Sequence, residues 1–89
     1  MFEFDANKSL SNKVKHGIDF YEAQALWNDK DAVEIIANAS EDELRQMIIG
    51  KIDSKHYSAV VTYRGDAVRI ISVRRSREKE AMIYDSQRI

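Results

Sequence analysis

The most constraining stretch of the chain is residues 59–75, which read AVVTYRGDAVRIISVRR. Two arms rich in β-branched residues flank Gly65-Asp66, and such arms are typical of strands on a half-buried sheet. Glycine as the first of two loop residues favours a type II′ turn, because that turn has the twist of paired strands. The stretch therefore predicts a β-hairpin that ends in Arg74 and Arg75.

A two-residue loop also predicts the register of this hairpin. The expected pairs are Arg64 with Ala67, Tyr63 with Val68, Thr62 with Arg69 and Val61 with Ile70, continuing from Val60 with Ile71 to His56 with Arg75. Because side chains alternate between faces, Ala59, Val61, Tyr63, Val68 and Ile70 form a core face. The opposite face mixes Val60, Ile71 and Val73 with polar residues and with Arg64, Arg69 and Arg75. It is a candidate platform for a polyanion.

Length and composition indicate one globular domain over residues 1–89. The chain is 44% hydrophobic and 33% charged, which is typical of a folded protein. No stretch approaches the roughly 20 apolar residues that cross a bilayer, and the N-terminus lacks a secretory pattern. The absence of cysteine excludes disulfides and zinc–thiolate sites. A cytoplasmic protein without membrane association is expected.

The net charge of −1 conceals an asymmetry. Residues 1–43 hold 10 acids and 4 bases, whereas residues 44–89 hold 5 acids and 10 bases. The basic half contains the hairpin, and local positive charge is typical of phosphate binders. An unevenly charged but purely solvated surface is the alternative.

The rest of the chain predicts helices before the hairpin and after it. Phe2–Phe4 reads as a short strand, and Asp5 can cap a helix that ends near Gly17, with Leu10 and Val14 as its apolar stripe. Asp19 and Glu22 resemble a capping box for a second helix. The aromatic and apolar residues of that helix read as core rather than as a cofactor contact: they are Phe20, Ala23, Leu26 and Trp27.

Residues 32–37 and 44–50 read as strands, although a helix beginning at residues 40–43 is an alternative. Residues 52–55 read as a turn, and Ser76 as the cap of a closing helix over residues 76–84. The order is β-α-α, three or four antiparallel strands, then α. It predicts an α+β, two-layer domain whose antiparallel sheet is covered on one face by the N-terminal helices, with a C-terminal helix.

If the polyanion is RNA, these arginines could support its cleavage by attack of a ribose 2′-OH on the adjacent phosphate. That reaction needs a base, a cation for the developing charge and an acid for the leaving oxygen. Arginine stays charged and binds phosphate with a planar fork. The alternative is structural, with Arg74 and Arg75 paired to Glu78 or Glu80. Two histidines without a carboxylate motif do not indicate a metal site, and no cofactor is expected.

Two blocks of the sequence resemble the BrnT toxin family of type II BrnT/BrnA toxin–antitoxin modules. The first block comprises Phe4-Asp5, Lys8, Asn12, Lys15-His16-Gly17-Ile18 and Phe20 to Ala23. The second comprises Arg45, Gly50, Arg69-Ile70-Ile71-Ser72-Val73-Arg74-Arg75, Glu80 and Tyr84. The resemblance implies a RelE-like fold and a ribonuclease that arrests translation. It also implies neutralisation by a ribbon-helix-helix antitoxin, BrnA-like, through which the complex reaches operator DNA.

The resemblance also selects site residues. It implies that the catalytic residues are His16, Arg74, Arg75 and Glu80, with Lys15, Arg45, Arg69 and Tyr84 as RNA contacts. Arg64, on the mixed face of the hairpin, is a further candidate RNA contact, and no metal is expected. A helix end is the alternative for His16, because cations there complement the helix dipole. His56 lies outside both blocks and reads as a surface residue. Two other functions stay open: a non-catalytic RNA- or protein-binding module, and an inactive toxin that acts as a corepressor.

Overall fold

The computed structural model describes residues 1–39 and 43–87, and within them the chain is α+β, as predicted. The predicted helix start at residues 40–43 falls mainly on positions 40–42, outside the described residues. The elements are β1 (Phe2–Glu3), α1 (Ala6–His16), α2 (Phe20–Ala23), a 3₁₀ helix (Gln24–Asn28), β2 (Val33–Ala39), β3 (Leu44–Ile52), β4 (Lys55–Arg64), β5 (Ala67–Arg75) and α3 (Glu78–Ser86).

The sheet has five strands in the order β1-β5-β4-β3-β2. Strands β2 to β5 form an antiparallel meander. Strand β1 pairs in parallel with β5, through Phe2 beside Val68 and Glu3 beside Arg69. The sheet is therefore mixed, and the prediction of a purely antiparallel sheet is wrong at this edge.

The predicted hairpin is confirmed near its turn and wrong beyond it. Gly65 has a φ of 58°, and the four expected pairs from Arg64–Ala67 to Val61–Ile70 all form. The register then shifts, so Val60 pairs with Ser72 rather than with Ile71. A bulge adds one unpaired residue to one strand and reverses the alternation beyond it. A two-residue turn fixes the register only up to such a bulge.

This shift changes which side chains share a face. Arg74 now pairs with Ser58 and Arg75 with Tyr57, so the prediction that Arg69 and Arg75 share a face is wrong. Val73, predicted on the mixed face, is fully buried in the core. Tyr63 lies before the shift and pairs with Val68 as expected, but its side chain, predicted in the core, is 45% exposed.

The helices lie on opposite sides of the sheet. The core contains residues of α2, of the 3₁₀ helix and of one face of the sheet, hereafter the core face. Its buried members are Ile18, Phe20, Ala23, Leu26, Ile48, Ala59, Val61, Ile70 and Val73. Ser58 points away from its neighbour Ala59 and contacts Glu80 of α3. Helix α3 therefore covers the other face of the sheet, hereafter the α3 face. The two-layer prediction assigned no helix to that face.

Most predicted helix ends are confirmed. The Asp5 side chain accepts a hydrogen bond from the Lys8 backbone, and Gly17 ends α1 with a φ of 76°. Asp19 and Glu22 form the predicted capping box. Ser76 is not the cap of α3: Arg77 holds that position, and its N–H donates to the Glu80 carboxylate at 2.9 Å.

Helix α1 packs through polar residues, so the predicted Leu10–Val14 stripe is wrong. Leu10 is 66% exposed and Val14 89%, whereas Ser9 and Asn12 are buried. The Ser9 hydroxyl accepts the Phe20 N–H at 2.9 Å. The Asn12 amide donates to the carbonyls of Ile18 and Val73, each at 2.8 Å. Hydrogen bonds, which hydrophobic periodicity does not register, fix how this helix docks.

Replacing Asn12 with alanine should therefore detach α1 from β5. Two buried carbonyls would lose their donor, and each unsatisfied group costs about 1–3 kcal/mol. We expect Asn12→Ala to lower the free energy of unfolding, measured by urea titration, by about 2–4 kcal/mol. Asn7→Ala is the matched control on the exposed side of the same helix. Equal stabilities of the two variants would contradict this account of the docking.

Candidate active site

A bidentate ion pair joins the end of β5 to the first turn of α3. Arg74 donates from Nη1 to Glu80 Oε1 and from Nη2 to Glu80 Oε2, both at 2.8 Å. The side chains are 23% and 13% exposed respectively, so the pair is largely shielded from water. Such fork-to-fork geometry fixes both orientation and position of a guanidinium.

Three further hydrogen bonds hold this pair in place. Glu80 Oε1 also accepts from the Ser58 hydroxyl at 2.8 Å and from the Arg77 N–H at 2.9 Å. Ser58 and Ser76 share a hydrogen bond of 2.8 Å between their hydroxyls. The bulge in β5 creates this arrangement, because without the register shift Ser58 would face Val73 instead of Arg74.

The pair changes the ionisation of both members. Hydrogen bonding from Arg74 lowers the pKa of Glu80 from 4.5 to about 2, against the opposing effect of desolvation. The same hydrogen bond raises the pKa of Arg74. Glu80 is therefore an anion throughout the physiological range, which suits a positioning role better than proton transfer near pH 7.

One edge of the Arg74 guanidinium is not engaged by this network. Nη1 donates to Glu80 and, at 3.2 Å, to the Arg75 carbonyl, while Nη2 donates once. Arginine has five N–H donors. Among hydrogen bonds between described residues, none uses the Nε–H or the second hydrogen of Nη2. These two donors form a side-on fork of the kind that binds a phosphate.

A second cluster adjoins the pair on the α3 face. The His56 and Tyr84 rings meet edge-to-face with 5.3 Å between centroids, and His56 Nε2 lies 3.0 Å from Asp85 Oδ1. Lys51, which pairs with His56 across the strands, has Nζ 5.7 Å from the centroid of the Tyr84 ring. Tyr84 is 2% exposed, and its hydroxyl donates to Asp29 at 2.8 Å.

An open groove of about 450 Å³ begins at Tyr84 and Lys51. The residues that line it are Ala25, Asn28, Asp29, Lys51, Ile52, Asp53 and Tyr84. Asp29 anchors its wall, because Oδ2 accepts the Lys51 N–H at 2.8 Å in addition to the Tyr84 hydroxyl. One end of the α3 face is therefore concave, close to the Arg74–Glu80 pair and to the cluster of His56, Tyr84 and Asp85.

Comparison with protein families identifies the chain. Residues 4–80 match the family described as ribonuclease toxin, BrnT, of type II toxin-antitoxin system. The chain belongs to the BrnT family. Membership of this family indicates a ribonuclease toxin with an RNA substrate and an antitoxin partner. No curated protein matches the chain at a significant level.

Four of the five arginines that sequence reasoning selected in this BrnT chain fall on the α3 face by strand alternation. They are Arg45, Arg64, Arg69 and Arg74. Arg69 lies opposite Thr62 and Arg74 opposite Ser58, which separates them by about 13 Å along the strand. The fifth, Arg75, stacks over the Tyr57 ring at 5.6 Å, on the core-face side. The bulge therefore places Arg74 on the α3 face, where a regular register would have placed Arg75.

Two of these arginines make looser ion pairs than Arg74. Arg69 Nη1 lies 3.6 Å from Glu3 Oε1, across the parallel pairing of β1 and β5. Arg45 Nε lies 3.4 Å from Glu43 Oε2. Both are partly exposed pairs, which contribute about 0–1 kcal/mol, so an RNA phosphate can compete for them at small cost.

His16 and Lys15 lie elsewhere. Both belong to the last turn of α1, and α1 is held to β5 through Asn12 on the core-face side. There they line a shallow groove together with Lys8, Ser11, Asn12, Phe20, Ile71 and Ser72. The structure therefore brings Arg74, Glu80 and Tyr84 together and leaves His16 and Arg75 on the other side of the sheet.

Sequence reasoning missed Lys51, Ser58 and Asp85, and it ranked His56 as a surface residue. Strand alternation puts Ser58 on the same face as Arg64 and Arg69, but only the bulge brings it opposite Arg74. His56 and Asp85 are 29 positions apart, so no local motif links them.

Among residues 1–39 and 43–87, no cluster of three or more His, Asp or Glu side chains could hold a metal ion. In the same ranges no helix is long and apolar enough to cross a membrane.

The Glu80 ionisation gives a pH-dependent stability. Because the folded-state pKa lies below 4.5, ionised Glu80 stabilises the fold above pH 4.5, and this contribution disappears as the pH falls towards 2. A shift of this size corresponds to at most about 3 kcal/mol. We expect Glu80→Gln to be less stable than wild type at pH 7 and to lose this difference between pH 4.5 and 2.

Thermal unfolding followed by circular dichroism across this pH range measures the effect. Glu78→Gln is the control, since Glu78 is an exposed acid in the same helical turn. If Glu80→Gln and Glu78→Gln differ from wild type by the same amount at every pH, the ion pair does not have the assigned role.

Proposed function

We propose that the chain is a toxin endoribonuclease whose RNA-cleaving site lies on the α3 face, around Arg74. The observation that carries this proposal is the Arg74 guanidinium, which Glu80 holds at one edge and whose other edge makes no hydrogen bond to a described residue. Family membership supplies the reaction class. The rigid guanidinium supplies a group suited to the charge that develops on a phosphate during cleavage.

The proposed reaction is attack of a ribose 2′-oxygen on the adjacent phosphorus, without a metal ion. The O2′–P bond forms as the P–O5′ bond breaks, and the products carry a 2′,3′-cyclic phosphate and a 5′-hydroxyl. The Nε–H and Nη2–H of Arg74 donate to the non-bridging oxygens, where negative charge accumulates. Glu80 acts by orienting Arg74, so its role is positioning rather than proton transfer.

The other basic residues of the α3 face provide a track for the rest of the strand. Arg64, Arg69 and Arg45 lie towards the hairpin turn, and Lys51 lies at the groove. Positive side chains in a row follow a nucleic-acid backbone by phosphate contacts. Tyr84 is buried and bonded to Asp29, so its role is to support the groove wall.

In the cell, cleavage of messenger RNA would arrest translation in the cytoplasm. The antitoxin would be a BrnA-like ribbon-helix-helix protein that blocks the α3 face and carries the complex to operator DNA. A RelE-like fold accords with the order of helices and strands. An inactive toxin acting as corepressor is the second candidate, favoured by the carboxylates already paired with Arg45, Arg69 and Arg74.

Expression of the chain without an antitoxin tests the proposal. We expect growth arrest and RNA fragments with cyclic phosphate and 5′-hydroxyl ends, and we expect cleavage by the purified protein to persist in a chelator. Intact RNA and normal growth with a folded protein would contradict the ribonuclease proposal and favour the corepressor. Loss of cleavage in the chelator would contradict the metal-free route.

Substitution of Arg74 separates its chemistry from its structural role. Arg74→Lys retains the charge but lacks the fork, and we expect cleavage to fall by about 10²–10³-fold, the usual cost of losing one such donor. Because an unpaired Glu80 would destabilise the fold, the double variant Arg74→Met, Glu80→Met serves as the control. It removes both charges and should be stably folded yet inactive. A folded double variant with wild-type cleavage would contradict the role of Arg74.

A further inference from the structure

The chain has two histidines, His16 and His56. Only His56 lies on the α3 face, two positions from Ser58 on β4. Since Ser58 is opposite Arg74, His56 and Arg74 are diagonal neighbours, and such residues lie about 7–8 Å apart, with somewhat less between their Cβ atoms. A nucleotide is long enough to span that separation, with its phosphate on Arg74 and its ribose against His56.

The surroundings of His56 determine which ring nitrogen can accept a proton. Nε2 lies 3.0 Å from Asp85 Oδ1, and a carboxylate only accepts hydrogen bonds, so the hydrogen belongs on Nε2. In the neutral imidazole Nδ1 then carries a lone pair. No hydrogen bond between described residues uses Nδ1.

Packing fixes the orientation of this ring. It stands edge-to-face on the buried Tyr84 ring, and the His56 carbonyl accepts the Ser76 N–H at 3.0 Å. These contacts hold the His56 ring in place. The side chain is 24% exposed, so a substrate can still reach it. Among the described residues, the charged side chains that face it are Lys51, opposite it on β3, Arg74, diagonal to it on β5, Asp85 on α3 at 3.0 Å, and Glu80, which binds Arg74.

We propose that His56 is the general base of the cleavage reaction, with Asp85 as its positioning residue. This inference rests on the proposed function of the α3 face. His56 Nδ1 accepts the proton of the 2′-hydroxyl as the O2′–P bond forms. The departing O5′ takes a proton from water. The resulting imidazolium is stabilised by Asp85, and it returns its proton to solvent after the products leave.

Two substitutions test this base while preserving the fold. His56→Phe keeps a flat ring against Tyr84 without any nitrogen, and His56→Gln keeps a donor towards Asp85 without a basic nitrogen. With a reporter messenger RNA, free or in a reconstituted translation mixture, we expect each variant to cleave about 10²-fold or more slowly than wild type. Unfolding temperatures near that of the wild type would show that the loss is chemical.

Chemical rescue supplies a readout that a structural role would not move. Added imidazole should restore part of the cleavage by His56→Ala and leave the wild-type rate unchanged. Asp85→Asn should cost only about 2–5-fold, since the Asp85 side chain is 59% exposed and exposed pairs are weak.

The outcomes distinguish a failure of the His56 proposal from a failure of the proposed ribonuclease function. If the wild type cleaves RNA and folded His56→Phe and His56→Gln cleave equally fast, the inference is overturned and the ribonuclease site stands. Loss of cleavage in His16→Gln instead would assign the base to the other histidine. If the wild type cleaves no RNA in either form, the proposed function and the base fail together.

Discussion

The Arg74–Glu80 ion pair is the interaction on which the arrangement of the α3 face depends. It connects the end of β5 to the first turn of α3, and the Glu80 oxygen that accepts from Arg74 Nη1 also accepts from the Ser58 hydroxyl and the Arg77 N–H. A pair this shielded gains little net stability over apolar residues of equal size, but breaking it is costly. Its value lies in orientation, since it holds a cation rigidly beside His56 and Tyr84.

The bulge in β5 is the backbone feature that makes this pair possible. A regular hairpin would direct Arg75 to the α3 face and Arg74 towards the core, and Val73 would lose its buried position. One extra residue places Val73 in the core and Arg74 opposite Ser58. Bulges of this kind commonly redirect side chains beside functional sites. The core and the candidate site therefore depend on the same irregularity.

Sequence patterns predicted the parts of this structure that local chemistry determines. The α+β class, the Gly65 turn, the Asp5 cap, the Gly17 helix end and the Asp19–Glu22 box are all short-range features. The patterns failed where distant residues decide. The bulge, the parallel β1, the polar docking of α1 through Asn12 and the contact of His56 with Asp85 all join residues far apart in the sequence. Hydrophobic periodicity carries no signal for such contacts.

The central claim is that the Nε–H and Nη2–H edge of the Arg74 guanidinium holds the scissile phosphate. Nuclear magnetic resonance of the arginine Nε–H groups tests it directly, with an RNA oligonucleotide made uncleavable by 2′-deoxy substitution as the ligand. The account predicts that the Arg74 Nε–H signal, assigned by its loss in Arg74→Lys, shifts on binding and becomes protected from solvent exchange. An oligonucleotide that binds and shifts other arginine signals while leaving that of Arg74 unchanged would contradict the account.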